Sequence, residues 1–218
     1  WLWMLEASAT WFERAVSTNQ DYFPANLRNN LPSFLYAPLE VQPGWWSNGG
    51  ARVHGYAASA LLQYIDPVTA TSGGTTVANA LKLMGEKESG YLYDSPKHSP
   101  TQALVLAYPG LSGSWGAFAK NLAEGKVFSG TKFPDASDWL GWQSQLRAIR
   151  VESGSMSPNA VDMNMGDLSI HPVLIEFAKW TTPPEEGTPV SIKLTDPSGK
   201  AGVHLYRITG SGLEFVQT

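Results

Sequence analysis

The sequence predicts an α+β chain, with an N-terminal α-helical subdomain over residues 1–132 and a small antiparallel β-sandwich, Ig-like or similar, over 133–218. Two observations predict it. Up to Gly125, apolar residues recur at helical spacing between Ser/Thr start signals and Gly or Pro stops. From Gln145 onward the period switches to two, in short runs separated by turn residues. The last run ends almost at Thr218, so the sandwich is expected to be incomplete within this chain.

The first helix is read over residues 1–17. Glu6, Thr10 and Glu13 are spaced by four and three and share one face, while Trp1, Leu5, Ala9, Phe12 and Val16 line a neighbouring one. A carboxylate carried on so apolar a helix needs a cation, a donor or a metal. The plain alternative is a half-buried helix with a polar stripe. Residues 21–36 contain Pro24 and Pro32, which predicts short helices or turns. Residues 38–50 read as a loop, with Pro43-Gly44 and Asn48-Gly49-Gly50 as turns around Trp45-Trp46.

Residues 53–65 form the second strong helical pattern, with Tyr56, Ala60 and Tyr64 on one stripe and Ala57, Leu61 and Ile65 beside it. Asp66-Pro67 closes it. A third helix is read over 77–84 with Thr75 or Thr76 as its cap. Ser99 or Thr101 opens a fourth through Tyr108, and Ser112 or Ser114 opens a fifth over 115–124, stopped by Gly125. The sandwich is placed from 133–142 onward. Its strands are read at 145–151, 168–177 (an edge strand or bulge, because of Pro172), 191–194, 204–208 and 213–216. Asp196-Pro197-Ser198-Gly199 is the hairpin turn.

Composition narrows the function classes. A 218-residue chain that is 43% hydrophobic with nine tryptophans is not a disordered polymer. Its net charge is only -4 and no Lys/Arg-rich run occurs, so nucleic acid is not an expected partner. No transmembrane segment is expected, because no apolar run has that length. Cysteine is absent, which excludes disulfides, thiol catalysis and thiolate metal sites. Low charge with abundant Gly, Ser, Thr and Trp fits an exported bacterial protein, extracellular or at the cell surface. The chain begins with Trp rather than Met and shows no signal peptide. It is therefore expected to be a fragment or processed product of a longer polypeptide.

The first helix, Trp3-Met4-Leu5-Glu6-Ala7-Ser8-Ala9, resembles the glutamate-bearing helix of gluzincin zinc metallopeptidases, the group of thermolysin and aminopeptidase-N-like enzymes. In that group one helix carries H-E-x-x-H, and a later helix like W-L-x-E-G-x-A supplies the third zinc ligand. The resemblance is closer to a set of exported bacterial proteins with a gluzincin-like domain. Glu6-Ala7-Ser8-Ala9-Thr10-Trp11-Phe12-Glu13, then Asp21-Tyr22, then the helix from His54-Gly55-Tyr56 to Tyr64-Ile65 follow the order of their pieces. It covers about the first 130 residues.

The resemblance implies Glu6 as third zinc ligand, Zn²⁺ in the parent protein, and peptide or protein as substrate, hydrolysed by metal-activated water. The chain departs from the family pattern in two respects. His54, His98, His171 and His204 include no pair at i, i+4, so H-E-x-x-H would have to lie upstream of Trp1. The chain alone is accordingly expected to be inactive and free of tightly bound zinc. Arg52 stands where the aminopeptidase-like enzymes place an oxyanion-stabilising Tyr.

Arg52, His54 and Tyr56 are then the candidates to polarise a carbonyl. Two of them have a plainer reading: His54 bonding a neighbouring loop, and Tyr56 as core packing. Glu13 is read as an outer neighbour of the metal or as a helix-face salt bridge. Other signals are weak. Gly49-Gly50 and Gly73-Gly74 lack a phosphate loop's Lys, Gly110-Leu111-Ser112-Gly113 is no nucleophile elbow, and Asp162, Asn164 and Asp167 lack a calcium loop's spacing. Two other classes compete: a non-catalytic surface module binding peptide or glycan through Trp45 and Trp46, and a degenerate peptidase kept as a scaffold.

Overall fold

The computed structural model describes residues 2–17, 24–35, 37, 39–40, 50–67, 74–87, 96–128, 130–151, 168–177, 204–209 and 212–217. The helices are α1 (Leu2–Val16), α2 (Ala25–Leu35), α3 (Gly50–Ile65), α4 (Thr75–Met84), α5 (Pro100–Ala107), α6 (Leu111–Ala123) and α7 (Ala136–Gly141). The strands are β1 (Arg147–Val151), β2 (Val173–Phe177), β3 (Leu205–Thr209) and β4 (Gly212–Gln217). The chain is a mixed α+β protein in which helices dominate the described part.

Helix α3 is the centre. It packs against α1, α2 and α6, and every residue from Ala57 to Gln63 is buried. The alanines at 57, 58 and 60 leave room for neighbours on more than one side, while Leu61 and Leu62 reach into the core with no exposure. Burial of each such leucine contributes roughly 1.5–3 kcal/mol.

The proline-broken segment becomes the single 11-residue helix α2, with Pro32 inside it. An interior proline costs about 3 kcal/mol. Leu27, Leu31, Phe34 and Leu35 are all buried on the same helix, and together they offset that cost.

Caps fix the remaining helices. Ser99 accepts from the Gln102 N–H while the Gln102 side chain accepts from the Ser99 N–H, a capping box that starts α5 as read. Helix α4 begins differently. Its N-cap position is Gly74, and neither Thr75 nor Thr76 caps it. Asp66, buried at the end of α3, accepts instead from the Gly74 N–H at 2.7 Å and the Val77 N–H at 3.0 Å. Gly125 adopts a left-handed φ of 66° just past α6, where a Cβ would lie 2.5 Å from the Pro134 carbonyl oxygen.

Residues 136–141, read as the entry to the sandwich, are instead helix α7. Asp135 caps it by a reciprocal box with Asp138. Phe133, Trp139 and Trp142 join the helical core, and Arg28 on α2 pairs with Asp138 while its guanidinium lies 5.0 Å from the Phe133 ring centre.

The described strands form two separate two-stranded sheets, and no β-sandwich is seen among the described residues. β1 and β2 pair in parallel, Arg147 opposite Val173 through Val151 opposite Phe177, where an antiparallel pairing was expected. β3 and β4 pair antiparallel, as the sequence indicated, with an irregularity at Leu205/Tyr206. β2 starts immediately after Pro172, which has no N–H for a ladder. The segment leading into it is tied to the helices: the Trp115 indole N–H donates to the Ser169 carbonyl, and the Ile170 N–H to that of Leu35. The strand at 191–194 and the turn at 196–199 lie outside the described residues.

Candidate functional site

The crossing of α1 over α3 positions every predicted site residue. It is close because Gly55 has no side chain. A Cβ there would stand 2.5 Å from the Trp3 carbonyl oxygen and 2.7 Å from the Glu6 Cβ. Ala7 and Ser8, next along α1, are buried as well. Glu6 therefore sits directly against the α3 backbone, at a fixed height along both helices.

The Glu6 side chain is 21% exposed and its Oε1 lies 3.3 Å from Nε of Arg52, one turn before Gly55 on α3. The structure brings these two candidates together, and the required cation of the sequence argument is a guanidinium. Arg52 is 63% exposed, so the pair is solvated and contributes no more than about 1 kcal/mol.

His54 goes the other way. It is fully buried, its ring 6.0 Å from that of Trp3 and 5.3 Å from that of Phe34. Nε2 lies 3.2 Å from the Leu39 carbonyl oxygen and so carries the proton, leaving Nδ1 an acceptor with no partner among the described residues. Burial lowers its pKa from 6.5 to about 4, opposed by the Leu39 hydrogen bond and by Glu40. His54 is thus a neutral ring that anchors residue 39 to α3. Glu40, the next residue, accepts from the Ser99 hydroxyl and the Thr101 N–H and so joins the start of α5 to the same segment.

Tyr56 is half-buried on α3, and its carbonyl accepts from the Ser59 hydroxyl. Thr10, read on a face with Glu6, is buried, and Glu13 is exposed. Sequence reasoning named Arg52 as a carbonyl polariser and did not anticipate it as the partner of Glu6. The signal available was its position one turn before a glycine that lets α1 approach. Asp21, Tyr22, Trp45, Trp46, Asp162, Asn164 and Asp167 lie outside the described residues.

Among the described residues no three His, Cys, Asp or Glu side chains converge on a point that could hold a metal ion. Glu6 alone does not make a zinc site. An open groove of about 430 Å³ is lined by Lys97, His98, Thr101, Gln102, Val105 and Leu106, and none of the predicted site residues belongs to it. No helix among the described residues is long and apolar enough to cross a membrane. No protein-family model, curated protein or solved structure matches this chain.

Proposed function

We propose that this chain is the C-terminal part of a secreted bacterial zinc metallopeptidase of the gluzincin kind, acting on peptide or protein substrates, with Glu6 as the third zinc ligand. The observation that carries the reading is the setting of Glu6. Its carboxylate is held at a crossing too tight for α1 to slide and remains partly open to solvent. A ligand that must meet a metal supplied from another helix needs that combination of fixed height and open front.

The chain contributes one protein ligand of the three a catalytic zinc needs, so peptide hydrolysis is a property of the longer polypeptide. Arg52, beside Glu6 and mostly exposed, is in this reading the group nearest a substrate carbonyl, and Tyr56 is a second candidate on the same helix. His54 serves by fixing α3 against residue 39 rather than by touching substrate. The strand segments belong to a sandwich that follows the catalytic domain.

The test is the full-length protein. Its gene should encode H-E-x-x-H upstream of Trp1, and the purified protein should contain one zinc per chain and cleave unfolded protein substrates. Glu6→Gln should release most of the zinc and lower cleavage at least tenfold. A gene without that motif, or zinc content indifferent to Glu6→Gln, overturns the reading.

A further inference from the structure

We draw no further inference here: the strongest candidate, the outward apolar face of α1 formed by Leu5, Phe12 and Val16, carries nothing because nothing among the described residues shows what covers it.

Discussion

Helix α1 has two apolar faces, and the structure treats them oppositely. Trp3, Met4, Ala7 and Trp11 are at most 8% exposed, whereas Leu5, Phe12 and Val16 are all more than half exposed. Hydrophobicity does not separate the two sets. The partner does: at Gly55 a Cβ would stand 2.5 Å from the Trp3 carbonyl oxygen and 2.7 Å from the Glu6 Cβ, so the inward face lies close against the α3 backbone. The outward face has large side chains with no matching groove on α3. The inward face fixes the fold, and the outward one stays exposed.

The sharpest way to break the contrast is at Gly55. Gly55→Val should cost about 3 kcal/mol or more in urea unfolding, because the new side chain meets backbone rather than a yielding side-chain tip. Gly55→Ala is the more telling variant. Helix propensity alone would make it stabilising by about 1 kcal/mol, so a net loss of stability would be due to the crossing.

The second effect runs through His54, on the sealed side. Its pKa is about 4 in the folded protein and 6.5 without burial. Above pH 6.5 both states are neutral and the ring's contribution is intact. As pH falls, the unfolded chain takes up the proton first, and stability drains between pH 6.5 and about 4 by roughly 3 kcal/mol. His54→Leu should lose much less over the same window. Burial lowers His171 as well, and it titrates in both proteins, so the difference between their urea midpoints isolates His54.

Asp66 tests the neighbouring end of α3. Asp66→Ala removes both acceptors from the start of α4 and leaves the Val77 N–H buried without a partner. The expected cost is about 2 kcal/mol, with hydrogen exchange quickening first in α4.

Much of this was legible in the residues. The extents of α1 and α3 follow from periodicity, α5 from the Ser99/Gln102 box, and the end of α6 from Gly125. β1, β3 and β4 follow from alternation. What escaped needed partners distant in sequence. Asp66 caps a helix eight residues and more away, and residues 136–142 read as the start of the sandwich because their helix is only six residues long. The parallel pairing of β1 with β2 depends on register across 21 intervening residues, which no local pattern encodes. At the site, the sequence identified Glu6 and Arg52 separately and missed their pairing, because that depends on how closely α1 approaches Gly55.

The smallest expected effect is the most discriminating one for α1. Phe12→Ser exchanges residues of nearly equal helix propensity, so backbone preference drops out. Were Phe12 a core residue, truncating its ring would cost about 3–5 kcal/mol. At 57% exposure the change should stay within about 0.5 kcal/mol in the urea midpoint, and loss of an exposed apolar ring should raise solubility. A stable, more soluble Phe12→Ser chain would show that this ring is not kept for the fold. A loss above about 1.5 kcal/mol would mean the outward face is already covered within this chain, and the asymmetry between the two faces of α1 would disappear.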